Sequence, residues 1–251
     1  MPEVRLTTHA SSYRAGGIRA VWGPDAGAIG VAWTDSRGSR QVHGAIVSPE
    51  GVMRSEQAVS AAPSTHRGNT PRIVWNDGAW QLLYRHDDPD GARPDYLHTR
   101  RLDVSGTLGA DVDLAVPAEQ IGLTARDGIG YATVTGGGSP LSLRLWDLGW
   151  TATTMLASTT GTFDGSRELA WDGANLYVTS TGLRLEIVRY NGLGTETGRI
   201  LLTNDSLQRS ASGLRMHRLG TRLVVSWMWS TGGLSPIAHH QVQVVDTSSA
   251  L

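Results

Sequence analysis

Five copies of one pattern predict an all-β chain, a five-bladed β-propeller built from four-stranded antiparallel blades. Two observations carry this. The 251 residues include 31 Gly and 10 Pro, enough punctuation for many short strands and too much for a helical bundle. An apolar strand ending at a marker residue recurs at Trp22, Trp75, Ala125, Trp171 and His217, at spacings of 53, 50, 46 and 46 residues. Each copy runs on through Gly, Asp or Asn turns into further short strands, which is the grammar of a propeller blade.

The elements follow in order. Blade one opens with RAVWGPDAGAIGVAW (19–33) and continues in QVHGAIVS (41–48). Blade two reads RIVWNDGAWQLLY (72–84), YLHTRRLD (96–103) and ADVDLAV (110–116). Blade three, LTARDGIGYATV (123–134) then SLRLWDL (142–148), has Ala125 where Trp is expected. Blade four reads ELAWDGANLYV (168–178), LEIVRYNG (185–192) and GRILLTN (198–204). Blade five, LRMHRLGTRLVVSW (214–227) then HQVQVVD (240–246), stops at Leu251 before any fourth strand. The N-terminal VRLTTHASSYR (4–14) resembles ILLTNDSLQR (200–209), so strand 4–8 is expected to complete the last blade and cover its edge. One domain over 1–251 is expected, with blades near 17–60, 70–117, 121–160, 166–205 and 212–251 plus 1–9. Trp22, Trp75 and Trp171 are expected in the packing between blades.

Composition narrows the function. Hydrophobic residues make up 39% and charged residues 18%, which excludes a disordered chain. A formal net charge of -1 argues against general affinity for nucleic acid or anionic membrane. All 22 basic residues are Arg, so every fixed positive charge is a planar, forked donor. Without Cys there is no disulfide and no thiolate chemistry. No apolar run reaches membrane-span length, and residues 1–20 do not read as a signal peptide. An extracellular or periplasmic location is expected if such a peptide has been removed.

No metal and no cofactor are expected. His43, His98 and Glu186 fall at one strand-three position of three different blades and should not converge. The acidic loop HDDPDGARPD (86–95) fails the spacing of a calcium loop. No nucleophile elbow, zinc-protease, P-loop or dinucleotide fingerprint appears, so no catalytic residue is assigned.

Ligand chemistry is expected where strand four leads into the next strand one and strand two into strand three. Counting eight residues back from the marker gives Arg14, Arg67 and Arg209, before blades one, two and five. Their forks suit carboxylate, sulfate or phosphate. Tyr13 and His66 precede two of them. At the ends of strand two, Asp35, His86 and Trp229 occupy equivalent places, with Trp229 able to stack on a sugar ring. Each also has a plain structural role open to it: loop anchoring for Arg, turn capping for Asp35, blade packing for Trp229.

The fragments VWNDG (74–78) and WTDSRGSRQVHGAIVSPEG (33–51) resemble a repeat of secreted bacterial β-propellers, of a kind frequent in myxobacteria. The resemblance implies the fold and is nearly silent on chemistry. Three functions stay open. The first is a lectin-like module, monomeric, for a carbohydrate or anionic small molecule. The second is a glycoside hydrolase or polysaccharide lyase using axial carboxylates, with Asp35, Asp164 and Glu168 as candidates. The third is a protein-interaction platform.

Overall fold

The computed structural model describes residues 15–35, 41–60, 67–87, 95–117, 121–136, 141–151, 153–159, 167–181, 185–203, 212–230 and 238–248. The fold is an all-β, five-bladed β-propeller, with no helix among the described residues. Blade one holds β1 (Ala15–Gly23), β2 (Ala28–Asp35), β3 (Gln41–Val47) and β4 (Met53–Ala58). Blade two holds β5 (Arg67–Asn76), β6 (Ala79–Asp87), β7 (Tyr96–Leu102) and β8 (Val112–Pro117). Blade three holds β9 (Ile121–Arg126), β10 (Gly130–Thr135), β11 (Leu141–Asp147) and β12 (Thr153–Thr159). Blade four holds β13 (Leu169–Trp171), β14 (Asn175–Thr181), β15 (Leu185–Asn191) and β16 (Glu196–Leu201). Blade five shows β17 (Ser212–Leu219), β18 (Arg222–Ser230) and β19 (Ala238–Asp246). Strands within each blade pair in sequence order. The expected closing strand 4–8 lies outside the described residues.

The chain divides into two compact units, Met1–Glu119 with blades one and two, and Gln120–Leu251 with blades three to five. In the first, one apolar cluster joins the two blades: Ala28, Ala32, Val42 and Ile46 against Ile73, Trp80, Leu82 and Leu102. Trp80 is fully buried, and its indole N–H donates to the Val21 carbonyl of blade one at 3.0 Å. Its ring lies against Gly30, where a Cβ would collide with it. Gly23 is equally tight, since a Cβ there would come within 2.6 Å of Trp75. Trp75 and Trp80 meet edge to face at 4.7 Å. The second unit repeats this in two clusters, Leu169, Trp171 and Leu176 with Ala132 and Val134, then Tyr177 and Ile187 with Leu214, Val225 and Trp227.

This packing explains the burial of the markers. Trp75 packs on blade one, and Trp171, 8% exposed, lies beneath the Arg126 guanidinium of blade three at 5.2 Å. The marker side chain therefore covers the blade before it in the chain. Blade one has no predecessor within its unit, and Trp22 is 49% exposed, contrary to the expectation that it would be core. Blade three substitutes Ala125 with an aromatic group of its own: Tyr131, paired across from Ala125, stacks on Trp150 at 4.5 Å. In blade five the marker place belongs to Arg218 and not to His217. Arg218 pairs with Leu223 as Trp75 pairs with Trp80, and its Nη1 donates to the Trp171 carbonyl at 3.1 Å.

The strand-one-to-two and strand-three-to-four turns close themselves. Asp77 and Gly78, at φ 49° and 69°, form the two-residue hairpin of blade two with both central residues left-handed. Asp103 Oδ1 accepts from the backbone N–H of Ser105 and Thr107, and Asn191 Oδ1 from those of Leu193 and Thr195.

Because Trp80 fills a site with no slack, Trp80→Ala should cost about 3–5 kcal/mol of folding free energy. Gly30→Ala, which overfills the same contact, should cost about 1–3 kcal/mol. Denaturant unfolding of both variants checks the pair; a neutral Gly30→Ala would mean that the indole is not seated on that glycine.

Candidate functional site

The opposite end of each blade, where strand two passes to strand three, is built differently. In blades one, two and five the pairing of strand one with strand two is broken by a β-bulge near this end. The register slips between Gly16 and Arg19, between Asn69 and Arg72, and between Ser212 and Arg215. A left-handed residue stands at the same place in each bulge: Gly17 at φ 64°, Thr70 at 52° and Gly213 at 61°. Two residues later comes an arginine, Arg19, Arg72 or Arg215. The strand-one pairings of blades three and four show no such slip. A bulge bends its strand and redirects the side chains beside it. Arg19 and Arg215 both donate through Nη1 to the preceding carbonyl, Ile18 at 3.3 Å and Leu214 at 2.6 Å. In the first unit the two bulges touch: a Cβ on Gly17 would stand 3.3 Å from Pro71. The sequence carries this signal, since in these three blades an arginine precedes the marker, Trp22, Trp75 or Arg218, by three residues, whereas Glu168 and Gly122 stand there in blades four and three. Counting eight residues back passed over it.

The expected site residues fare unequally. Tyr13, Arg14, His66 and Arg209 lie outside the described residues, as does Asp164. Arg67 opens β5 and pairs along the backbone with Asp87 at the end of β6. Asp35 ends β2, paired with Ala15 and Gln41, and is only 1% exposed. Trp229 stacks on His239, its cross-strand neighbour, at 4.3 Å and 16°, so one face of the indole is taken. Arg85 stands between Asp87 at 2.5 Å and Asp95 at 3.4 Å. Glu168, the carboxylate just before β13 of blade four, lies 3.8 Å from the bulge arginine Arg215 of blade five.

His86 is drawn into a network that the sequence did not suggest. Its Nδ1 is 3.3 Å from His98 Nε2, and His98 Nδ1 is 3.1 Å from Asp111 Oδ1. Tyr84 donates its hydroxyl to the same Asp111 oxygen at 2.8 Å and stacks on His98 at 5.8 Å. Burial by itself would raise the Asp111 carboxyl, but the hydrogen bonds from His98 and Tyr84 outweigh it and hold the group below the usual carboxylate range. The Tyr84 hydroxyl is pushed up, by burial first and by Asp111 second. Blade one has the shorter version: Trp33 stacks on His43 at 5.6 Å, and His43 Nδ1 is 3.5 Å from Glu56. Blade four reverses the charges, with Glu186 accepting from Arg199 at 2.8 Å. His43, His98 and Glu186 thus each engage a charged partner on or just before strand four of their own blade. Among the described residues no group of three or more His, Asp or Glu is placed to hold a metal ion.

No protein-family model matches the chain, and no characterised protein matches it in sequence. Solved structures match it in fold. An exo-β-1,3-galactanase of Phanerochaete chrysosporium with bound galactose aligns with a TM-score of 0.57 at 11% identity over 92% of this chain. This chain spans 60% of that galactanase. An α-L-arabinanase of Penicillium chrysogenum complexed with arabinobiose gives 0.59 at 16% identity, covering 90% of this chain and 73% of the other. A protein of unknown function from Dyadobacter fermentans gives 0.66 at 10% identity, covering 96% and 81%.

Asp111 and Asp172 predict the acid side of the stability curve. Burial would raise Asp172, yet the N–H groups of Ala174 and Asn175 and the Tyr177 hydroxyl hold it low. A carboxyl whose folded value lies below its unfolded one stabilises fully above the ordinary value of about 3.9, and that contribution is lost as pH falls through the folded value. Unfolding free energy should therefore be flat from about pH 7 to 5 on account of these two groups and fall below about pH 4. The fall should be shallower in Asp111→Asn and Asp172→Asn, measured by urea denaturation at each pH.

Proposed function

We propose that the protein is a ligand-binding propeller that recognises a carbohydrate or a small anionic molecule with the strand-two-to-three end of its blades. The observation that supports this most is the asymmetry between the two ends. At the turn end, Asp103, Asn191, Asp147 and Asp172 give their side-chain oxygens to their own turns. At the other end stand bulged inner strands and, at the ends of strand two, Asp35, His86 and Trp229. In the first unit the binding residues are Arg67, Asp35 and His86, with Tyr13, Arg14 and His66 just before them in sequence. Trp229 and Arg209 supply the equivalent chemistry of blade five. A carbohydrate suits aromatic and forked polar groups together, and the galactanase and arabinanase of similar fold are named for sugar polymers.

Glu168 supports a second reading, glycoside hydrolysis. It is the carboxylate just before β13, beside the buried Arg167, which is 1% exposed. A glycosidase needs a second carboxyl about 5–10 Å away, and Asp164 is the candidate of the same unit.

Titration calorimetry with galactose, arabinobiose and galacturonate tests the first reading. A charge-assisted hydrogen bond to ligand is worth roughly 1.5–3 kcal/mol, so Arg67→Ala should weaken binding about ten- to a hundredfold. Its melting temperature should not change. Full affinity in a folded Arg67→Ala variant would remove Arg67 from the site. Release of reducing sugar from arabinan or galactan that disappears in Glu168→Gln would establish the second reading instead.

A further inference from the structure

We infer that the Asp77–Gly78 turn is a site of covalent self-modification, at which the Asp77 side chain closes on the Gly78 amide nitrogen, assisted by Arg101, and reopens as isoaspartate. The inference does not depend on the ligand reading above. An Asp–Gly pair stands in the strand-one-to-two turns of blades two, three and four, at 77–78, 127–128 and 172–173. Glycine has no Cβ, so its amide nitrogen is the least shielded that can follow an aspartate. The three turns share this dipeptide and differ in what surrounds it.

At Asp77 each reacting part is accessible. The side chain is 56% exposed, and its Oδ2 lies 3.8 Å from Arg101 Nη1. The strand pairing ends at Asn76 and Ala79, and among the described residues nothing accepts from the Gly78 N–H. Gly78, at φ 69°, has open space where a Cβ would stand. Arg101, on β7, also donates through Nη2 to the Asp77 carbonyl oxygen at 3.2 Å. That oxygen belongs to the same peptide unit as the Gly78 N–H. A guanidinium there draws electron density from the unit, which makes the N–H more acidic and the carbonyl carbon easier for water to attack. Among the described residues, Asp77 alone of the three has an arginine on its carbonyl. Asp172 has the opposite setting. Its Oδ1 accepts from the N–H groups of Ala174 and Asn175, and its Oδ2 from Asn175 Nδ2 and the Tyr177 hydroxyl. These bonds hold that carboxyl in place and ionised.

The step balances without a co-reactant. With the carboxyl in its neutral acid form, the Gly78 nitrogen bonds to Cγ. The N–H proton passes to solvent, and the Cγ hydroxyl leaves with a proton as water. A cyclic succinimide results, and water then adds to one of its carbonyls. Attack at Cγ breaks the new bond and restores Asp77. Attack at the backbone carbonyl carbon breaks the original peptide bond, so the chain runs on through Cβ and Cγ and the α-carboxylate is set free. That carboxylate is a methyl acceptor for an isoaspartyl methyltransferase. The product lengthens the turn by one backbone atom in the hairpin that carries Trp80.

Full-length protein is held at about pH 5, where a fraction of ordinary carboxyls is protonated, and mapped over time by peptide mass spectrometry. The readouts are a peptide lighter by one water at 77–78 and a methyl ester formed there by an isoaspartyl methyltransferase. Isoaspartate is expected at 77 about tenfold faster than at 172, the factor that one charge-assisted hydrogen bond is worth. Arg101→Gln should slow the reaction at 77 severalfold and leave 127 and 172 unchanged. In denaturant the three sites should react at similar rates, which assigns the native difference to structure. Asp77→Asn keeps a favoured hairpin dipeptide; it should reach the same succinimide with loss of ammonia and give the same ratio of isoaspartate to aspartate. No isoaspartate at 77, or one ranking of the sites in native and denatured protein alike, overturns the inference. An unchanged rate in folded Arg101→Gln overturns it as well, since the assistance of Arg101 is part of it.

Discussion

The seating of Trp80 governs the first unit. A fully buried indole must place its N–H somewhere, and the Val21 carbonyl of the neighbouring blade is where it goes. The ring can reach that carbonyl only because Gly30 and Gly23 leave their faces bare. A hydrogen bond buried in this way fixes direction as well as distance, since misplacing it would leave a polar group unsatisfied in an apolar cluster. The spacing of blade two on blade one is set accordingly, and the remaining apolar contacts fill in around it. It also explains why strand two is buried on both faces. The first six residues of β6 and all six of β10 are buried, because strand two lies within the packing of its unit.

That double burial limits where polar chemistry can sit. At the end of strand two stand Asp35, His86 and Trp229, of which Asp35 is buried and Trp229 still packs against the blade-five cluster. The outer pair of strands has another polar position. In blades one, two and four an ionisable side chain on strand three meets a partner on or beside strand four: His43 with Glu56, His98 with Asp111, Glu186 with Arg199. Pairs of this kind, partly exposed, contribute little to stability, about 0–1 kcal/mol each. What they fix is orientation, and in blade two that orientation passes inward to His86.

The strand positions are legible because they depend on local chemistry. Gly, Asp and Asn turns and short apolar runs placed strand three of every blade within two residues of where it lies, as 41–48 against β3 or 185–192 against β15. What escaped depends on register and neighbours. The bulge in blade two rests on Thr70, a β-branched residue held at φ 52°, which no propensity would place there. His217 resembles the marker because Gly220 follows it by three residues, as Gly78 follows Trp75, but Gly220 is the first residue of its two-residue turn and Gly78 the second, which moves the register by one. Trp22 was read as core because its pattern matched Trp75. Periodicity identifies a strand face; it does not say whether another blade covers it. The site residues were legible as places on strand ends, while the partners that decide their chemistry, Asp111 and His239 among them, lie far off in sequence.

The contrast between Trp229 and His86 shows how partners decide what a strand end can do. Both stand at the end of strand two, two residues beyond an aromatic that anchors the blade, Trp227 or Tyr84. Trp229 meets His239 face to face, a contact that occupies one side of the ring and leaves the imidazole and indole with no proton to share through their stacked faces. His86 meets His98 edge to face, which brings nitrogen to nitrogen. A difference of 16° against 86° between ring planes separates a face-to-face stack from an edge-on contact. The carboxylate behind the second ring completes the distinction. Asp111 gives the His86–His98 contact a direction, because an acceptor that cannot donate leaves only one arrangement of protons along the chain. The same blade geometry at corresponding strand ends therefore gives a stacked pair in one case and a nitrogen-to-nitrogen contact in the other.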